Sequence, residues 1–337
     1  MSVETFGTLS NGEAVERVTI RGGGLTASIL GWGATVQDLR LQGHAPPLVL
    51  GFPVFDPYPV HALFFGAIVG RYANRIAGGR FSIDGEAYET DRNEGGLHTL
   101  HGGAHGVYCR NWTIAEAGQD HARLELVDRD GEMGFPGTCR LAATFRLPGD
   151  GVLAIALTAT TDRSTIVNLT HHGYFNLDGT DKVLDHEMRI DAGHYLPVDS
   201  ACIPTGAIDP VDGTDLDFRQ ARALRRDSDG RQVLYDHNYC ISGVRTGLRE
   251  VAMVRSPRSG VTMTLATTEP GLQFYAGEHV GPTEPGLAGK AYGKWAGFCL
   301  EPQIWPDAPN RPDFPSALLR PGETSRQEMR YRFTREG

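Results

Sequence analysis

The sequence contains no CxxC pair, and its five cysteines (Cys109, Cys139, Cys202, Cys240 and Cys299) are odd in number and widely spaced. Neither a disulfide frame nor a zinc knuckle is suggested, and reduced thiols in a cytoplasmic protein, packing as small hydrophobic groups, are expected. The N-terminus has neither a basic start nor an apolar h-region, and no apolar run reaches membrane-spanning length. Neither a secretory signal nor a membrane partner is expected. Positive charge is sparse: 32 Lys and Arg stand against 41 Asp and Glu, for a net charge of −9. Arg225-Arg226 is the sole adjacent basic pair near the middle of the chain. An acidic chain without a basic stripe argues against nucleic acid as a partner. Long Gly/Pro-free stretches are also rare, since 43 Gly and 20 Pro interrupt the 337 residues. That argues against a helical protein and for one full of turns.

What remains is period-two alternation. Leu141, Ala143 and Phe145 alternate with Arg140, Thr144 and Arg146; Met329, Tyr331 and Phe333 alternate with Glu328, Arg330 and Arg332. Leu153, Ile155 and Leu157 share a face, as do Val261, Met263 and Leu265. Each pattern is that of a half-buried strand. Turn signals separate the runs: DG at 84–85, DRDG at 128–131, PGDG at 148–151 and LDGT at 177–180. Short strands so punctuated predict an all-β antiparallel sandwich or barrel. Two Gly/Pro-free runs exceed 14 residues. The first, 152–172, alternates as a strand. The second, 214–229, has Asp217 as an N-cap and is the best candidate for a short helix. No composition break marks a linker, so one domain over 1–337 is expected. The segment 303–323, with five prolines, also carries Ile304, Trp305, Phe314, Leu318 and Leu319. Those apolar anchors predict an ordered loop.

Four segments could carry chemistry. In NLTHHGYFNL (168–177) an extended backbone puts Asn168, Thr170, His172, Tyr174 and Asn176 on one face. Leu169, His171, Gly173, Phe175 and Leu177 take the other. The first face is a row of uncharged hydrogen-bonding groups centred on His172, suited to a polyhydroxy ligand. In GRYANRI (70–76) and LHTLHGG (97–103), Arg75 could fork two hydrogen bonds to hydroxyls. His101 sits against Gly102-Gly103, where the backbone could approach a ligand. The spacing His98, His101, His105 invites a metal reading, but the intervening glycines prevent alignment on one helix face. In YDHNYC (235–240), Asp236 could accept from two hydroxyls. In FCLEPQIWPD (298–307), Glu301 follows an apolar run, where a carboxylate is costly unless paired or functional. Gln273, beside Phe274 and Tyr275, is a further plausible contact.

Taken together, GRYANRI, LHGG, NLTHHGYFNL, DHNYC, PGLQFYAG, GFCLEPQIWPDAPN and LLRPGET, in this order between residues 70 and 324, resemble the aldose 1-epimerase family. The resemblance implies a large antiparallel β-sandwich of the galactose-mutarotase type, with at most one or two short helices, acting on free aldoses without cofactor or metal. It places a general base on Glu301, a general acid on His172, and sugar-binding groups on Asn74, Arg75, His101, Tyr174, Asp236 and Gln273. A monomer or homodimer with a monosaccharide as its partner is expected. The chain departs from the family at His171-His172-Gly173, where Asn-His-Ser is usual, and at His98. Anomer exchange itself requires one base at the C1 hydroxyl and one acid at the ring oxygen, with C1–C2 rotation in the open aldehyde. An ionised Glu301 and a protonated His172 would each favour the other's charge. Both proton sites flank C1, so the two side chains should lie within about 8 Å of each other, with His172 in the cleft and His171 facing away. A non-catalytic sugar-binding module would need neither residue. A glycoside hydrolase would recruit Asp236 with Glu301, and a phosphosugar enzyme would need a basic cluster at the pocket, which these motifs lack.

Overall fold

The alternating runs lie side by side. In a computed structural model, which describes residues 2–61, 64–228 and 230–335, Cys139–Arg146, Val152–Thr161, Ser325–Arg335 and Val261–Thr267 are consecutive antiparallel neighbours in a nine-stranded sheet. Leu153, Tyr331 and Leu265 share one rung and are fully buried. The intervening Arg330 and Arg332 face solvent. Burial of each large apolar side chain contributes about 1.5–3 kcal/mol, which fixes the register, since a slip of one residue would turn this face outward.

A second antiparallel sheet, of six strands, runs in the order Tyr174–Phe175, Phe298–Gln303, Gly271–Tyr275, Asp236–Cys240, His194–Tyr195 and Asp209–Pro210. Its Leu272, Phe274, Phe298 and Leu300 join Met329, Tyr331 and Phe333 in one core. The two sheets therefore form a β-sandwich. A four-stranded sheet, Ser2–Thr8 to Thr35–Leu41, adds Val18, Ile20, Ala27 and Ile29 to the same core. The DG at 84–85 joins Arg80–Ile83 to Glu86–Glu89, with Asp84 at φ 52° and Gly85 at φ 86°. Positive φ at both central residues is what a tight hairpin needs. Among the described residues no helix is long and apolar enough to cross a membrane.

Two expectations fail locally. The stretch 214–228 is not helical, and Asp229 lies outside the described residues. Asp217 accepts from the Arg219 amide, while Arg222 donates to the carbonyls of Asp217, Asp215 and Ala223. Arg222 also lies over the Phe218 ring. Side chains that satisfy the local backbone in this way compete with a helix. Among the described residues the one α-helix is Pro57–Val60. The run 152–172 is not one strand either, breaking into Val152–Thr161, Thr165–Ile166 and Thr170–His172. The Pro-rich 303–323 segment is ordered, with Ile304, Trp305, Phe314 and Leu319 buried.

Candidate active site

The six-stranded sheet turns its second face away from the core, and there buried side chains adjoin partly exposed ones, a burial pattern that defines a recess. One rung carries Glu301, Gln273 and Asn238; the next carries Tyr174, Cys299, Tyr275 and Asp236. Glu301 is 2% exposed, and its Oε2 has no hydrogen-bond partner. His172 reaches the same floor from Thr170–His172, a strand paired with Ala67–Val69. Its Nε2 lies 3.7 Å from Glu301 Oε2, well inside the expected limit. Neighbouring His171 points the other way, into the core, edge-on to Tyr331 and Phe175. The His172 ring stacks on Tyr174, with centroids 5.1 Å apart, and meets Phe64 and His101 at its other contacts. Cys299 Sγ lies 3.6 Å from His172 Nδ1.

The rim is charged. Arg75 grips Glu94 through Nε and Nη2 at 2.8 and 2.7 Å, and its Nη1 lies 3.9 Å from Asp236 Oδ2. The expected fork toward a ligand is thus occupied, leaving Nη1 as the arm nearest the recess. Asp236 accepts from Gln273 Nε2 at 2.6 Å. Asn74 and His101 lock together: the Asn74 amide donates to His101 Nδ1, and the His101 amide donates to the Asn74 carbonyl. Both have left-handed backbones, with φ of 63° and 51°, a conformation uncommon outside glycine. Gly102 serves this crossing and not a ligand, because a Cβ there would sit 2.1 Å from the Gly70 carbonyl oxygen.

Burial dominates the electrostatics. It lowers the His172 pKa to about 4 and raises that of Glu301 well above the carboxylate range, with Asp236 adding to the rise and Arg75 opposing it. Both groups therefore favour their neutral forms, contrary to the expected ion pair, because desolvation outweighs their attraction. Burial, reinforced by the Arg75 charge, also keeps His101 neutral. Burial holds the Cys299 thiol protonated.

The structure brings Asn74, Arg75, His101, His172, Tyr174, Asp236, Gln273 and Glu301 to one recess. Asn168 and Asn176 leave the expected polar wall: their amides tie down backbone at Ala73, Ile304, Thr180 and Ala296. Glu94, Phe64 and Cys299 were not anticipated. Glu94 gave no signal beyond an acidic loop residue, and Cys299 looked like one more small core side chain. Of the His98, His101, His105 series, His98 accepts from the Gly78 amide and His105 is exposed. His101 instead joins His172 and Glu301, and one donor atom from each lies within 4.8 Å of the others. A divalent ion could use that set, but the Arg75 guanidinium acting on Glu301 and His101 disfavours a second cation there.

A β-sandwich holding a buried imidazole–carboxylate pair within a hydrogen-bonding rim has the build of an enzyme that moves protons on a carbohydrate. The chain belongs to the aldose 1-epimerase family, whose model matches residues 16–332. It is 40% identical over 336 residues to galactose mutarotase from Rattus norvegicus, covering 98% of this chain and 97% of that one. It is 36% identical over 345 residues to aldose 1-epimerase from Escherichia coli K12, covering 99% of each. The solved structure of an aldose epimerase homologue from C. elegans superposes with a TM-score of 0.90 at 31% identity, over 96% of this chain and 100% of that one. That of galactose 1-epimerase from Lactobacillus acidophilus gives 0.85 at 26% identity, over 100% and 99%.

Proposed function

We propose that this aldose 1-epimerase interconverts the α and β anomers of unphosphorylated aldopyranoses, with Glu301 and His172 exchanging the two protons. The observation that carries the reading is the 3.7 Å approach of His172 Nε2 to Glu301 Oε2 on the buried floor of a recess rimmed by Arg75 and Asp236. A neutral pair and an ion pair hold the same number of protons. In the resting recess the proton sits on Glu301; passing it to His172 creates the carboxylate and imidazolium that ring opening needs. Glu301 then takes the C1 hydroxyl proton and His172 protonates the ring oxygen, which breaks the C1–O5 bond and leaves the open aldehyde. After rotation about C1–C2, the ring oxygen attacks the other carbonyl face and both transfers reverse.

Arg75, oriented by Glu94, and His101 hold the ring-oxygen side. His101 Nδ1 accepts from Asn74, so in the neutral ring the proton is on Nε2, making it a donor. Asp236 and Gln273 hold distal hydroxyls, keeping the ring docked while C1 turns. Tyr174, stacked under His172, fixes its plane. A reducing, cytoplasmic setting is supported by the five unpaired cysteines. Polarimetry on a freshly dissolved single anomer tests the reading: catalysed decay of rotation is expected, and a rate equal to buffer alone would overturn it.

A further inference from the structure

Lysine is rare in this chain. Of its 32 basic residues only Lys182, Lys290 and Lys294 are lysine, and all three line one cavity of about 490 Å³. Elsewhere arginine supplies the charge and is paired, as in Arg71–Asp128, Arg75–Glu94 and Arg245–Glu269. Among the described residues none of the three lysines is in an ion pair. The cavity wall carries one carboxylate, Asp181. Three ammonium groups against it leave two net positive charges in a chain of net −9.

Trp295 completes the site. Lys182 Nζ lies 5.1 Å from its ring centroid, and its indole Nε1 is buried without an acceptor. The residue adopts a left-handed backbone, φ 64°, held by hydrogen bonds to Gly277 and Val183. A bulky aromatic rarely takes that conformation, and an unpaired buried N–H is costly. Compact, rotatable ammonium groups suit a tetrahedral anion better than a planar carboxylate, and the volume is that of a small-molecule site.

We propose that this cavity binds a phosphorylated small molecule, its phosphate held by Lys182, Lys290 and Lys294 against the face of Trp295. The site is distinct from the recess: the rings of Tyr292, Phe65 and Tyr174 stand in series between it and His172. The ligand therefore does not compete with aldose.

Isothermal titration calorimetry at constant ionic strength tests this with inorganic phosphate, glucose 6-phosphate and ATP as probes. Saturable binding of at least one is expected, unchanged by saturating aldose and weakened about tenfold or more in K182M/K290M/K294M. That variant should retain the parent rate of anomer exchange, which shows that it folds. Binding of inorganic phosphate alone identifies a free anion, and tighter binding of either ester identifies the attached group. No saturable heat from any probe, undiminished binding to the triple variant, or displacement by aldose would each overturn the proposal.

Discussion

A single shared proton governs the proposed catalytic pair. Because burial lowers His172 to about 4 and raises Glu301 well above the carboxylate range, the pair holds one proton over a wide interval. Below about pH 4 it gains a second and loses its base; at high pH Glu301 gives up its proton and the acid is lost. The profile of kcat/KM should therefore rise through about pH 4, stay flat across neutrality and fall again on the alkaline side. An acid limb near pH 6.5 would mean that His172 titrates as if exposed. Glu301→Gln and His172→Asn should each lower kcat by roughly 100-fold or more, with smaller effects on binding. If Glu301→Gln turned over normally, the base would pass to Asp236. Glu94→Gln should raise KM more than it lowers kcat, because it loosens Arg75 without touching the proton path; steady-state polarimetry separates the two.

The element 168–177 shows what a sequence pattern conveys and where it stops. Alternation placed His172 in the recess and His171 in the core, because a strand leaves adjacent side chains no other choice. It could not show that Asn168 and Asn176 spend their amides on distant carbonyls, since those partners come from other parts of the chain. The same holds for Arg75, whose type and position were legible while its grip on Glu94 was not. The helix expected over 214–229 failed because propensity ignores arginines that bond the backbone beneath them. One departure from the family is explained here. A Cβ on Gly173 would lie 2.5 Å from the His171 ring, so the extra imidazole occupies the space of the usual serine. Gly173→Ser alone should destabilise by about 1–3 kcal/mol through overpacking, and adding His171→Asn should recover most of it. Thermal unfolding of the three variants checks this; additive losses would rule out the coupling.

At the scale of the whole molecule, charge and substrate are decoupled. The chain carries −9, yet a free aldose is neutral, so kcat/KM should be nearly unchanged between low salt and 1 M salt. A steep salt dependence would point to a charged substrate. Dialysis against a chelator should likewise leave the rate intact; loss restored by a divalent ion would make His101, His172 and Glu301 metal ligands. The sheet order carries one more consequence. Ser325–Arg335 is last in chain order among the described strands, yet it sits between Val152–Thr161 and Val261–Thr267, bonded to both. Two strand edges therefore stay unsatisfied until residues 325–335 arrive to bridge them. Chains interrupted before residue 325 would present those edges to one another and to other proteins. Delivery of residues 325–335 is thus a condition for closing the core, and copies truncated before them are the form of this molecule most exposed to aggregation and proteolysis.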